Sequence, residues 1–245
     1  MKRALLFLCV RNRLPTAGVL SLLLSTVASM HAVDGVANLI EPARPHVTQI
    51  VSEYGLIPPD RATILREASA FINDRVKEAK PAPLIFICTH NSRRSHLAQV
   101  WAQAAAAYYN VTNVVSFSGG TETAACNIRT IRALQRAGVS IVNSTGGTNP
   151  VYLAQCSESV PPAKLYSKTF SDPANPQIGF AAFLCCDQAD AKCPIVQGAA
   201  ARFSTPYVDP KASDDTDKES VTYDERCRQI AREMFYLISL VKPGS

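Results

Sequence analysis

The chain has 245 residues, of which 47% are hydrophobic and 18% are charged. A chain of this length and apolar content can bury a full core, which excludes a disordered tail or a mini-protein held together by disulfides alone. The net charge of +5 lies near the start, since residues 1–32 hold four of the 25 basic residues and none of the 20 acidic ones. The remainder is close to neutral and gives no support to nucleic-acid binding.

Residues 1–32 have the pattern of a targeting segment. A basic start precedes an apolar run from Ala17 to Ala28, and the small residues at 27–29 are typical of a secretory signal. The excess of Arg and Ser without acids also fits an organellar transit peptide, and an untidy extension is the third interpretation. The localisation therefore stays open between cytoplasmic and periplasmic, secreted or organellar. No later run of 18 apolar residues occurs, so the body is not expected to span a membrane.

Residues 33–80 are predicted to form a helical N-terminal extension. Apolar residues recur at three- and four-residue spacing from Val47 to Tyr54, and a second amphipathic stripe runs from Ile64 to Val76. The prolines of Lys80–Pro83 predict a linker, so the domain that follows is expected to span residues 81–245. The extension is expected to be either a packing cap on the sheet or a surface for a partner.

From residue 84 onward the pattern is that of an α/β protein. Leu84–Ile87 is a short continuous apolar run of the kind found in buried parallel strands. Val114–Phe117 predicts the next strand and Phe180–Leu184 a third, with helical periodicity between them. Strands that alternate with helices predict an open parallel sheet flanked by helices.

Three helices and one added hairpin complete the predicted elements. The first helix follows the Leu84–Ile87 strand, and the last begins at about Tyr223. The middle helix is expected to be capped by Asn127, to turn its apolar residues inward and to stop at Gly138. Those inward residues are Ile128, Ile131 and Leu134. The alternation in Lys164–Phe170 suggests a hairpin.

The segment Cys88–Ser95 carries the chemistry. It joins a strand to a helix, so successive backbone N–H groups can surround a tetrahedral oxyanion at the helix N-terminus. Arg94 can add two donors to the same anion, and Ser95 can donate to the Cys88 sulfur. A positive field of this kind favours the thiolate, which makes Cys88 the candidate nucleophile. The candidate oxyanion ligands are Thr89, His90, Asn91, Ser92, Arg93 and Arg94.

This Cys-x5-Arg-Ser pattern resembles the signature loop of the low-molecular-weight protein tyrosine phosphatases and of the thioredoxin-coupled arsenate reductases built on the same fold. The resemblance includes Ser118–Glu122 and Asp209–Pro210 and covers roughly residues 84 to 241. It implies the phosphatase fold and a general acid at Asp209, where the residues alone also fit an Asp-Pro turn. The loop departs from the family at His90, where Gly is usual, and at Arg93, where a second Cys is frequent.

Cys186 and Cys193 resemble the resolving cysteines of the arsenate reductases, because they lie seven positions apart after a predicted strand. The resemblance implies a relay in which Cys88 attacks arsenate, Cys186 attacks Cys88 with release of arsenite, and Cys193 moves the disulfide outward. A thioredoxin-like partner would then reduce it. The neighbouring Cys185 leaves open which thiol of the doublet resolves. A thiol-dependent arsenate reductase is the leading hypothesis.

Two other functions stay open. A phosphomonoesterase would form a phosphocysteine at Cys88 with Asp209 as general acid, although Lys211 stands where such phosphatases often place an aromatic residue. A non-catalytic oxyanion-binding protein in an oxidising compartment would hold Cys186 and Cys193 in a fixed disulfide. Zinc is poorly supported, since four ligands at recognisable spacing are absent, and no cofactor is implied.

Overall fold

The computed structural model describes residues 35–193 and 195–242, so the predicted targeting segment at residues 1–32 lies outside the described residues. Four strands of this part form one parallel sheet: β1 (Ala82–Cys88), β2 (Val114–Gly120), β6 (Phe180–Leu184) and β7 (Ala199–Ser204). Their order is β2-β1-β6-β7. The central strands β1 and β6 are almost wholly buried, which explains their continuous apolar runs. The predicted open parallel α/β sheet is confirmed.

Helices cover the sheet. They are α1 (Arg44–Val51), α2 (Pro59–Lys77), α3 (Arg94–Tyr108), α4 (Ile128–Arg136), α5 (Asp187–Lys192) and α6 (Glu219–Ser239). The long helices α3 and α6 pack against each other, and Trp101 meets Phe235 edge-on with ring centroids 6.3 Å apart. Among the described residues, no helix combines the length and apolarity that a membrane crossing requires.

The part of the predicted extension that the structure describes packs on the rest of the protein. Helices α1 and α2 both contact α6, and their apolar stripes are buried, with Val47 and Leu65 fully inaccessible. Gly138 lies so close to the turn that precedes α1 that a Cβ there would stand 2.0 Å from the Pro42 carbonyl oxygen. Its φ of +89° also suits glycine alone. The domain boundary near residue 80 stays a prediction.

A second, antiparallel sheet occupies the stretch where a hairpin was predicted. Its strands are β3 (Ser140–Asn143), β4 (Tyr152–Gln155) and β5 (Ala163–Leu165) in the order β3-β4-β5. The alternation from Lys164 to Phe170 does not continue as a strand of this sheet beyond Leu165. The reason is that Lys168 and Phe170 exchange backbone hydrogen bonds with Gly120 at the end of β2 instead.

The helix after β2 shows one correct prediction and one error. Asn127 caps α4 as predicted, because its Oδ1 accepts a hydrogen bond of 2.9 Å from the Arg129 N–H. Ile131 and Leu134 are buried, but Ile128 is 43% exposed. Its predicted inward position is wrong, since the first residue of the helix lies beyond the edge of the core.

Candidate active site

The loop between β1 and α3 is packed against the end of β2. Cys88 pairs with Gly120 across the sheet, and the Glu122 N–H donates to the Thr89 carbonyl oxygen at 2.8 Å. A Cβ on Gly120 would stand 2.8 Å from the Asn91 nitrogen and 2.2 Å from the Glu122 carbonyl oxygen. Only glycine therefore lets the loop lie this close to β2.

The nucleophile candidate is held by two polar side chains of its own loop. Cys88 is 3% exposed, and its Sγ lies 3.1 Å from Ser95 Oγ. Asn91 Nδ2 donates to that same Oγ at 2.9 Å, while its Oδ1 accepts from the Lys168 N–H at 3.0 Å. Because Ser95 Oγ already accepts from Asn91, its own hydrogen is available to the Cys88 sulfur. Asn91 has φ +44°, a left-handed conformation that Asn tolerates.

The backbone N–H groups of residues 89–93 form an empty row of donors. Within the described part of the chain, no acceptor takes a hydrogen bond from any of them. They precede the first turn of the fifteen-residue helix α3, where the helix dipole adds positive potential. A row of unpaired amides in this position is suited to a tetrahedral oxyanion.

Arg94 stands beside this row and connects it to Asp209. Its Nη1 donates to the Tyr207 carbonyl oxygen at 2.9 Å, and its Nη2 donates to Asp209 Oδ2 at 2.6 Å. Its buried Nε has no partner among the described residues and is a guanidinium donor available to an anion. The structure thus brings the predicted arginine and the predicted acid together across 115 positions of sequence.

The other candidate oxyanion ligands use their side chains elsewhere. Ser92 Oγ donates to the Ala125 carbonyl oxygen at 2.6 Å, and the Arg93 guanidinium donates to Tyr223 and Asp214. Ser92 and Arg93 therefore have only their backbone N–H groups for an anion. His90 is half exposed, with its Nε2 3.5 Å from a Glu122 carboxylate oxygen.

A group that the sequence did not reveal lies behind Arg94. The Tyr207 hydroxyl donates to Glu233 Oε2 at 2.9 Å, and Arg61 of α2 places its Nη1 3.3 Å from the same oxygen. Arg61 also donates to the Pro206 carbonyl oxygen at 2.6 Å and lies over the Tyr207 ring, 5.0 Å from its centroid. Burial, followed by the Glu233 charge, raises the pKa of Tyr207. The extension thereby supports the segment that holds Arg94.

The predicted resolving cysteines lie at opposite ends of α5. Cys186 caps its start: the sulfur accepts from the Ala189 N–H at 3.4 Å and lies 3.4 Å from Thr89 Oγ1 in the loop. Cys193 follows its end and is partly exposed, and burial raises the pKa of its thiol in spite of Arg202 nearby. All seven cysteines of the described residues are free thiols.

Cys185 occupies a different environment from Cys186. It follows Leu184, which pairs with Ile87, so it lies beside Cys88 across the central strands. Its side chain is fully buried. Burial, and then the charge of Cys88, raises the pKa of Cys185 well above its usual value.

Arg202 of β7 fixes helix α5. Its Nη2 donates to Asp190 Oδ1 at 2.5 Å and its Nε to the Cys193 carbonyl oxygen at 3.0 Å. Ser204 Oγ donates to the other oxygen of Asp190 at 2.8 Å. The helix between the two cysteines is thus anchored at its exposed end.

The remaining buried cysteines lie in environments that disfavour the reactive thiolate. Burial raises the pKa of Cys126 and of Cys227 to about 12, and that of Cys156 as well. Trp101 Nε1 donates to the Cys227 sulfur at 3.2 Å, which places this thiol in the core as predicted.

No protein-family model and no curated protein matches the chain. Solved structures that match include a low-molecular-weight phosphotyrosine phosphatase from Vibrio cholerae, with 14% identity and a TM-score of 0.42, over 64% of this chain and 95% of that one. An arsenate reductase from Archaeoglobus fulgidus has 16% identity and a TM-score of 0.39, over 64% and 98%.

A thioredoxin-dependent arsenate reductase from Corynebacterium glutamicum matches over a longer part, 86% of this chain and 84% of its own, with 18% identity and a TM-score of 0.38. These neighbours are phosphatases and arsenate reductases, the two classes that the sequence resembles. They do not decide between the two activities.

Proposed function

We propose that the protein is a thiol-dependent arsenate reductase in which Cys88 is the nucleophile and Cys186 and Cys193 form the relay. One observation carries the proposal. The Cys186 sulfur contacts Thr89 of the oxyanion loop, at the inner end of a helix whose outer end carries the partly exposed Cys193. Hydrolysis of a phosphate ester needs neither of these thiols.

The first step uses the loop. The unpaired amides of residues 89–93 and Arg94 Nε hold arsenate, and Ser95 stabilises the Cys88 thiolate through its hydroxyl. Cys88 Sγ attacks arsenic, an S–As bond forms, and one As–O bond breaks. The departing oxygen leaves as water once it is protonated, and we assign the role of proton donor to Asp209, whose Oδ2 lies 2.6 Å from Arg94 Nη2.

The second step reduces arsenic. The Cys186 thiolate attacks Cys88 Sγ, the S–As bond breaks and its electron pair stays on arsenic, which leaves as arsenite. The products are As(III) and a Cys88–Cys186 disulfide. The Ala189 N–H that points at the Cys186 sulfur stabilises its thiolate, whereas Cys185 is fully buried with a raised pKa. We therefore assign the resolving role to Cys186.

The third step requires α5 to unwind. Cys193 attacks Cys186, which expels the Cys88 thiolate and leaves a Cys186–Cys193 disulfide. Seven helical positions span about 10 Å, whereas the Cα atoms of a disulfide lie roughly 4.4–6.8 Å apart. A dithiol partner of the thioredoxin kind then supplies two electrons and becomes the oxidised species.

Phosphomonoester hydrolysis is the second candidate, and the contact between Asp209 and Arg94 favours it. A carboxyl at the rim of the loop, held at 2.6 Å from Arg94 Nη2, can protonate the leaving oxygen of an ester. The same Cys88 would carry the phosphoryl group. Because arsenate and phosphate have nearly the same shape, one loop can serve both reactions.

Arsenate reduction and para-nitrophenyl phosphate hydrolysis, measured in parallel on three proteins, separate the candidates. The parent is expected to oxidise thioredoxin in proportion to added arsenate, Cys186→Ser to lose this activity, and Cys185→Ser, the matched control, to keep most of it. Turnover of arsenate by Cys186→Ser at the parent rate would contradict the reductase proposal. Steady ester hydrolysis without arsenate-dependent oxidation of thioredoxin would favour the phosphatase.

A further inference from the structure

An open groove of about 530 Å³ runs along the outer edge of β2, away from the Cys88 sulfur. One wall is the strand itself with the turn that follows α3, and the other is the segment that leads into β5 and on to Lys168. Its apolar lining includes Val111, Val114, Phe117, Val160, Pro161 and Ala163. This volume is within the range of small-molecule sites, about 300–1,000 Å³.

Lys168 is the buried lysine of this groove, and the other lysine in its lining, Lys164, is exposed. Lys168 is 6% exposed and lines the groove, yet its Nζ makes no hydrogen bond or ion pair with any described residue. Its contact is the Tyr166 ring, with Nζ 4.5 Å from the centroid. Burial lowers the pKa of Lys168 to about 8. The ammonium of this largely buried side chain has no anionic partner among the described residues, and a bound anion would supply one.

None of the described charged and titratable groups around Lys168 pairs with its ammonium. Burial lowers the pKa of Lys168 and the Asp172 charge raises it, but no salt bridge joins these two described residues. Cys126 is a buried thiol whose pKa of about 12 keeps it neutral, and His96 is neutral above its pKa of about 4. Lys164 stands exposed on the same wall, in β5. None of these groups neutralises the ammonium directly.

We propose that this groove binds a small amphipathic monocarboxylate, with the carboxylate on Lys168 Nζ and the apolar part against the edge of β2. One ammonium matches one negative charge. The Gln99 amide can add a donor, since its Nε2 has only a long contact of 3.5 Å to the Lys164 carbonyl oxygen. A phosphate dianion fits this groove less well, because the groove offers no second cation of comparable burial. The loop at Cys88, in contrast, offers a row of amides and an arginine.

The proposed carboxylate site is distinct from the oxyanion loop, although the backbone of Lys168 contacts both that loop and the end of β2. The Lys168 N–H donates to Asn91 Oδ1, and the Lys168 carbonyl oxygen accepts from the Gly120 N–H. The side chain, in contrast, lines the groove. Binding at Lys168 can therefore be measured without any enzymatic turnover, and the result does not depend on the reaction at Cys88.

Calorimetric titration of the full chain with octanoate tests the proposal. Octanoate is expected to bind the parent, and Lys168→Met to bind it at least about tenfold more weakly, because a charge-assisted contact is lost. Lys164→Met is the matched control: it removes an exposed lysine of the same groove and is expected to retain binding. Octan-1-ol and octylammonium are expected to bind the parent more weakly than octanoate does.

A pH series provides a second measurement. Octanoate affinity is expected to be constant near neutral pH, where octanoate is ionised, and to fall as the pH rises through the pKa of Lys168, since only the ammonium pairs with the carboxylate. Lys168→Arg, which stays charged, is expected to abolish this fall. No binding of octanoate to the folded parent, equal binding by Lys168→Met, or equal loss in Lys164→Met would overturn the proposal.

Discussion

Replacing Arg61 by Met is expected to destabilise the protein and weaken the active site together. Arg61 belongs to α2, but its guanidinium contacts Glu233, the Pro206 carbonyl oxygen and the face of Tyr207. Tyr207 in turn provides the carbonyl oxygen that accepts from Arg94 Nη1. Removing the guanidinium therefore leaves an uncompensated carboxylate in the core and loosens the support behind Arg94.

The magnitude follows from burial. The Glu233 side chain is 1% exposed and that of Arg61 15%. Removing one partner of such a pair costs about 3–5 kcal/mol. Glu233 keeps the Tyr207 hydroxyl and the Gln229 amide as donors, so the lower end, about 3 kcal/mol, is expected. In a domain of this size, that corresponds to a fall in Tm of roughly 6–12 °C.

Thermal unfolding followed by circular dichroism measures this loss. Arg61→Met/Glu233→Gln removes both charges, and we expect it to be less destabilised than the sum of its single variants. Arg66→Met, an exposed arginine on the same helix, is the control and should change Tm by no more than about 2 °C. If Arg61→Met melted with the parent, or if the double variant were strictly additive, the reasoning would be refuted.

Three further predictions concern the loop, one turn and one buried histidine. Asn91→Gly keeps the left-handed backbone but loses the bond to Ser95, so arsenate turnover should fall roughly tenfold in a folded protein. Gly138→Ala forces a Cβ to 2.0 Å from the Pro42 carbonyl oxygen and should cost about 2 kcal/mol or more in urea unfolding. Burial lowers the pKa of His96 from 6.5 to about 4, so the unfolded chain binds a proton that the folded one rejects. Stability should therefore fall by up to about 3 kcal/mol as the pH drops from 6.5 to 4, and His96→Gln should remove that part of the loss in urea titrations.

The features that could be predicted from the sequence are those whose interacting residues lie close together in the chain. Leu84–Ile87 is buried on both faces, so its apolar run is uninterrupted and predicts a central strand. The Cys88–Ser95 loop is contiguous, and its unpaired backbone amides, the candidate anion donors, are those of adjacent residues. Asn127 caps α4 by bonding only two residues ahead. In each case the interacting groups lie within one short stretch of chain.

The features that were missed depend on distant partners. Nothing near Arg61 distinguishes it from the other arginines of α2, because its partner Glu233 is 172 positions away. β7 consists of Ala199–Ser204, a half-buried edge strand whose residues lack both a continuous apolar run and strong alternation. Likewise, the Arg93 side chain looks like an anion ligand in the sequence, but Tyr223 and Asp214 of the last part of the chain bind it.

The packing of α1 and α2 on α6 has a consequence for how the chain folds. Arg61 meets Glu233 across 172 positions and Asn73 meets the Leu240 carbonyl oxygen across 167, so this interface closes some of the longest loops in the molecule. During synthesis α1 and α2 leave the ribosome well before α6, so their apolar faces stay exposed to solvent until α6 has been made. Contacts of such high sequence separation form slowly. We expect the interface of α1 and α2 with α6 to form after the β1–α3–β2 unit has folded. We expect the dependence of folding on chaperones to come mainly from this interface.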